Sequence, residues 1–284
     1  MSSSIPSFND TPATISFRRV YHTITIPVLL ENSIRSRFIL DTGIGGNLIS
    51  SSLCKKIGCK LTGDEFKGKR MSGQEVSAPL ATVSSISLGS FKKKDVIVGV
   101  FNLPLPVDFA DIEGFLSLQF FDENPFTIDY TSGNVIIESH TSMLSRVEHG
   151  TEVDVRFERL GPTVEAFLKL SLPNGRMIEV EVDTGTDELI LHSKLIEELG
   201  VSKEGEGVTQ SRGEDETGHP YVRHFARLSG RVSIAKNPII YQQDPDVMFQ
   251  EIIYDGLVGQ SFLNKYTITY DVAKSRFIFA YTDR

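Results

Sequence analysis

Apolar and polar residues alternate in short runs along most of the chain, the period of a strand with one buried face. Ile26, Val28 and Leu30 form one such set, Phe38 and Leu40 another, with Glu31-Asn32-Ser33 as the turn between them. Leu168, Leu170 and Leu172, then Val180 and Val182, repeat the arrangement around Pro173-Asn174-Gly175, whose Asn-Gly is a strong hairpin signal. FTIDYTSGNVII and ITYDVAKSRFIF each read as two strands around a turn. Helical periodicity is confined to SSSLCKKIG and HSKLIEELG, each predicted as a short helix stopped by a glycine, Gly58 and Gly200. The pattern predicts a mainly β protein and argues against a doubly wound α/β fold.

The two sets of runs are one pattern written twice. Asp41-Thr42-Gly43 recurs 142 positions later as Asp183-Thr184-Gly185, each time at the end of an apolar strand. At the same spacing Leu53 falls on Leu195, GFLSLQFF from Gly114 on GLVGQSFL from Gly256, and Asp129 on Asp271. Before the first strand the spacing is 140, SFRRV against RFERL, so two residues were gained there. The chain reads as a tandem duplication: a tail at 1–12, a first unit at 13–140, a polar linker at 141–152 and a second unit at 153–284. The middle of each unit diverges, as loops with separate tasks do.

Composition narrows the function. With 284 residues, either one large domain or two of this size can bury a core. Twenty-nine Lys and Arg against 37 Asp and Glu give a net charge of −8, the wrong sign for tracking nucleic-acid phosphates. No apolar run is long enough for a membrane span, and MSSSIPSFND has neither the basic nor the apolar region of a secretory signal, so a cytoplasmic location is expected. Cys54 and Cys59 are too few for a disulfide framework and are expected as two packed thiols, a metal pair or regulatory disulfide being the alternatives. His219 and His224 have no metal-ligand partners in the sequence, and no metal site is predicted.

A strand ending in Asp-Thr-Gly, followed later by an apolar-apolar-Gly segment, resembles the aspartic proteases, specifically the retropepsin-like group. FILDTGIGGNLIS is similar to stretches of the bacterial retropepsin-like families, and the resemblance covers nearly the whole chain, once per unit. It implies two β-barrel lobes, each with one short helix, related by a pseudo-twofold axis as in pepsin-like enzymes. It implies that Asp41 and Asp183 form a catalytic dyad that hydrolyses peptide bonds with an activated water. Two carboxyls held that close cannot both ionise, so one acts as base and the other as acid. The resemblance also implies that Thr42 and Thr184 hydrogen-bond across the axis, while Gly43 and Gly185 let the backbone turn beneath the carboxyls. A peptide or protein substrate would lie extended in the cleft, a monomer would suffice, self-association stays open, and no cofactor is needed.

Three features depart from the family pattern or lie outside it. The second apolar segment, Leu257-Val258-Gly259, keeps its glycine, but the first, Phe115-Leu116-Ser117, has Ser117 instead, which must shift the backbone or find its hydroxyl a partner. Ile44 follows the first triplet and Thr186 the second. A Thr186 hydroxyl bonded to Asp183 would favour its charged form, leaving the shared proton on Asp41. The candidate flap hairpins are FKGKRMSGQEVSAP, with Met71, Ser72 and Gly73 at its tip, and SRGEDETGHPYVRH, with Thr217, Gly218 and His219. The first is basic and the second acidic, predicting a substrate preference that is asymmetric about the cleaved bond. The alternative function is a catalytically impaired peptide-binding or scaffolding protein on the same fold.

Overall fold

The computed structural model describes residues 11–102, 105–215 and 218–282. In the first half, the strand Thr23–Leu30 turns back into Ile34–Leu40 through Glu31 and Asn32, both with positive φ (49° and 60°), the left-handed pair a tight hairpin favours. Ile24, Ile26, Phe38 and Leu40 are fully enclosed, which sets the register: a slip by one residue would expose them all. Ile34–Leu40 is then covered on its other edge by the parallel strand Ile112–Leu116, Leu40 opposite Leu116. The second half repeats this. Thr163–Ser171 pairs with Met177–Val182, which pairs in parallel with Gly256–Val258, Val182 opposite Val258. Among the described residues each half builds one large sheet, of eight and ten strands, and the halves form two lobes.

A third, six-stranded sheet joins the lobes, and sequence reading did not foresee it. Its order is Ala13–Ser16, Asn134–Ile137, Phe126–Asp129, Tyr266–Asp271, Arg276–Tyr281, Thr151–Asp154, three strands from each half. At its centre Thr127 lies opposite Thr269, their hydroxyls 2.6 Å apart. These two residues are 142 positions apart, so the pseudo-twofold axis passes between them. Phe126 stacks between Phe121 and Tyr270, ring centroids 4.1 and 4.7 Å away, in a core that crosses from one half to the other.

Local structure departs from expectation in three places. The polar linker contains a helix, His140–His149, started by a reciprocal cap between Ser139 and Ser142, anchored by buried Met143 and leading into the edge strand Thr151–Asp154. The predicted helix Ser51–Ile57 forms, capped by Ser50 and ended by left-handed Gly58, but its counterpart is only a 3-10 turn, Ser193–Leu195. There His192 takes the cap position, and Glu197 and Glu198 stand where Lys55 and Lys56 favour the helix C-terminus in the first copy. The second lobe's α-helix is instead Gln260–Leu263. Finally, Cys54 and Cys59 are not two free thiols but a disulfide: the Gly58 turn sets their Cα atoms 5.2 Å apart, within bridging range. Because Phe126 is fully buried at the seam between halves, Phe126→Ala is expected to cost about 3–5 kcal/mol in urea unfolding, the range for emptying a core aromatic site.

Candidate active site

Each aspartate sits where its strand leaves the sheet. Asp41 N–H donates to the Leu116 carbonyl (2.9 Å) and Asp183 N–H to Val258 (3.1 Å), so the apolar segment beside each strand holds the residue at the strand's end. The chain then folds back, Gly43 N–H donating to Asp41 Oδ1 (2.9 Å) and Gly185 N–H to Asp183 Oδ1 (2.7 Å). Between the two turns lie Thr42 and Thr184, both fully buried. Each backbone N–H donates to the other's hydroxyl at 3.0 Å. The Thr42 hydroxyl donates onward to the Val182 carbonyl (2.7 Å) and that of Thr184 to Leu40 (3.0 Å).

This lock presses each glycine against the opposite carboxyl. A Cβ built on Gly43 would lie 2.5 Å from Asp183 Cγ, and one on Gly185 2.6 Å from Asp41 Oδ2. No side chain fits at either position, and the two carboxyls are close enough to hydrogen-bond each other. Burial, then the negative charge of Asp183, holds Asp41 well above the ordinary carboxyl range. Burial also raises Asp183, but the Gly185 N–H, the proton shared by Asp41, the charge of His22 and the Thr186 N–H oppose it. Both carboxyls are thus raised, Asp41 the more strongly.

The Thr186 hydroxyl, expected to act on Asp183, is not among the groups that do so. Thr186 acts through its backbone N–H, as Ile44 does on Asp41, while the Thr186 methyl faces Gly259: a Cβ there would meet Thr186 Cγ2 at 2.7 Å. The group without a counterpart is His22, whose Nε2 lies 3.0 Å from the Gly185 carbonyl. Sequence reading missed it because it sits at a hairpin tip outside any motif, where the second copy has Gly161-Pro162.

Ser117 finds partners for its N–H and its hydroxyl. Its N–H donates to Asn47 Oδ1 (3.0 Å), its hydroxyl lies 3.4 Å from the same oxygen, and it accepts from Gln119 N–H (3.2 Å). Asn47, itself buried, is further held by Gln119 Oε1. In the second lobe Leu189 replaces Asn47, and Gln260 Nε2 instead donates to the Thr184 carbonyl (2.9 Å).

The first flap hairpin, Lys60–Lys69 with Glu75–Leu88, reaches across to the second lobe. Ile253 N–H donates to the Met71 carbonyl (2.9 Å), the Met71 side chain packs against the Ile190, Met248, Ile252 and Leu257 cluster, and Gly73 (φ 84°) closes the turn. Arg70 pairs with Asp215 of the second hairpin at 3.5 Å, so the opposite charges of the two hairpins meet each other. Gly218 (φ 79°) and exposed His219 lie on the second turn, closed by bonds to Asp215, and Thr217 lies outside the described residues. On the first-lobe side of the dyad a cavity of about 110 Å³ is lined by Thr23, Ile39, Asp41, Phe109, Phe115 and Gly185, among others. Among the described residues no set of three or more His, Cys, Asp or Glu side chains could hold a metal, and no helix is long and apolar enough to cross a membrane.

Two outcomes follow from the electrostatics. Asp41 is raised in the folded state, so its protonated form stabilises the fold, and that contribution fades as pH rises above the ordinary value of 3.8 through the folded-state value. Asp41→Asn should therefore raise the melting temperature at neutral pH, with the gain shrinking toward pH 3.8 in a thermal-shift series. Removing the His22 imidazole lets Asp183 rise, so His22→Gln should move the acid limb of any dyad-dependent rate to higher pH, whereas Thr186→Ala, which removes the hydroxyl and keeps the backbone N–H, should leave it in place.

Residues 26–120 match the sequence model of the aspartyl protease family. No curated protein sequence matches the chain. Among solved structures, conglutin gamma, described as a unique basic 7S globulin from lupine seeds, aligns over 97% of this chain and 96% of its own at TM-score 0.59 and 11% identity. At that identity the likeness concerns the fold, and it extends over both halves. The first lobe, with its DTG loop, thus resembles the aspartyl protease family, and both lobes share the fold of conglutin gamma in one polypeptide.

Proposed function

We propose that the protein is an aspartic endopeptidase whose single site is built by both lobes. The observation that carries this reading is the mutual contact of each DTG glycine with the opposite aspartate, which leaves two coupled carboxyls of unequal acidity on the cleft floor. Asp183, ionised first, takes a proton from a water held between the carboxyls as that water attacks the scissile carbonyl. Asp41, which retains the proton, hydrogen-bonds the carbonyl oxygen, and the leaving amine is then protonated within the dyad. The flap hairpin covers the site and excludes solvent during the reaction.

A non-catalytic peptide-binding reading draws on a different observation. The first flap tip is already seated on the second lobe through Met71 and Ile253, and Arg70 bridges to Asp215, an arrangement suited to holding a ligand. The two readings separate in one experiment. Wild type, Asp41→Asn and Asp183→Asn are incubated with a diverse peptide pool from pH 3 to 8, and products are read by mass spectrometry. Proteolysis predicts cleavage by wild type and a loss of about 10³-fold or more in each variant, because the carboxyls act as one unit. Intact peptides at every pH would reject it in favour of binding.

A further inference from the structure

The strand wall that lines the cavity beside Asp41 has a symmetry-related counterpart beside Asp183, and the chemistry of the two walls differs. Strand registers identify the equivalent residues: Thr25 pairs with Ile39 in the first lobe and Phe167 with Glu181 in the second, so Ile39 corresponds to Glu181 and Thr23 to Glu165. Phe115 likewise corresponds to Leu257. The first-lobe wall is thus apolar, while the second places two carboxyls on the same side of the sheet as Asp183, because residues two apart on a strand face one way.

Glu181 is the informative residue. It is only 4% exposed, and among the described residues no donor hydrogen-bonds or ion-pairs with it. Arg156, opposite Phe167 in the register, is committed to Glu158 and Glu179 and lies 4.1 Å over the Phe167 ring. Glu165 faces the Tyr254 hydroxyl, and burial, then the charges of Asp183, Glu165 and Asp41, raise Glu181 well above the ordinary range. A buried carboxyl among like charges is costly unless a cation joins it. Phe167 and Leu257, its cross-strand neighbours, are buried apolar residues, and the Met71 side chain packs against the Leu257 cluster, the apolar contact that an entering aliphatic stem would take over.

Resting on the endopeptidase reading, we propose that Glu181, with Glu165 beside it, forms a subsite for a basic side chain, lysine or arginine, on one side of the scissile bond, opposite the apolar subsite of Ile39 and Phe115. The preferred substrate then carries an apolar residue on one flank and a basic one on the other. That side chain brings Glu181 the counter-charge that none of the described residues supplies.

Two measurements test this on the full chain. Cleavage is compared for peptides that differ only in having arginine or norleucine beside the scissile bond, placed before it in one series and after it in the other. Affinity is compared for the same sequences as uncleavable hydroxyethylene isosteres. In one of the two series arginine should be preferred over norleucine by about 10- to 100-fold, the worth of a charge-assisted hydrogen bond in a desolvated site. Glu181→Gln should collapse that ratio toward one, and Glu181→Ile, which copies Ile39, should invert it. Equal or better handling of norleucine in both series would overturn the subsite and mark Glu181 as a neutral, protonated wall residue. If nothing is cleaved but the isosteres keep a Glu181-dependent arginine preference, the subsite stands and the endopeptidase reading fails.

Discussion

Two buried hydroxyls hold the functional centre together. Thr42 and Thr184 each accept the other's backbone N–H and donate to the carbonyl that precedes the other's aspartate. A buried hydrogen bond is worth about 1 kcal/mol net, but an orphaned buried donor costs about 1–3 kcal/mol, so the four bonds stand or fall as a group. The lock fixes how closely the two loops approach. That approach brings Gly43 under Asp183 and Gly185 under Asp41, and it couples the carboxyls. The hydroxyl contact of Thr127 and Thr269 marks the same axis in the joining sheet, so the axis is held at two levels.

On this symmetric frame every departure from symmetry has a local physical cause. The second-lobe hairpin Arg156–Leu160 with Thr163–Ser171 extends two residues further past the DTG strand than its counterpart, and its Val164 N–H reaches the Gly45 carbonyl at 3.0 Å. The shorter first hairpin instead presents His22 to the Gly185 carbonyl. One aspartate therefore has an imidazole nearby and the other does not, which makes the surroundings of the two carboxyls unequal. Ser117 and Gly259 differ in the same way. The glycine meets the Thr186 methyl and carbonyl, while the serine sits where Asn47 and Gln119 can bond it.

The flaps show how a sequence pattern can acquire a different meaning in three dimensions. Their opposite charges read in isolation as an asymmetric preference for substrate. In the structure Arg70 and Asp215 lie 3.5 Å apart, so part of that charge acts between the hairpins. Asymmetry toward a ligand lies deeper, at Ile39 and Glu181 on the strands that deliver the aspartates. Glu181 was visible as a glutamate within an apolar strand, IEVEVDTG, but alternation alone did not show that its face was enclosed.

What the sequence determined by itself is what depends on local spacing: alternation for the strands, the Glu31-Asn32-Ser33 and Asn174-Gly175 turns, the duplication, and the two DTG triplets that duplication makes equivalent. Local chemistry also sufficed for the helix Ser51–Ile57, with a serine cap and a glycine stop. Where cap and terminal charge disagreed, around His192 and Glu197, pattern reading predicted a helix and a 3-10 turn formed. The six-stranded joining sheet, the place of His22 and the enclosure of Glu181 were decided only by tertiary structure. Each depends on which surface one half presents to the other or on where a turn returns the chain, and hydrophobic period carries no information about partners distant in sequence.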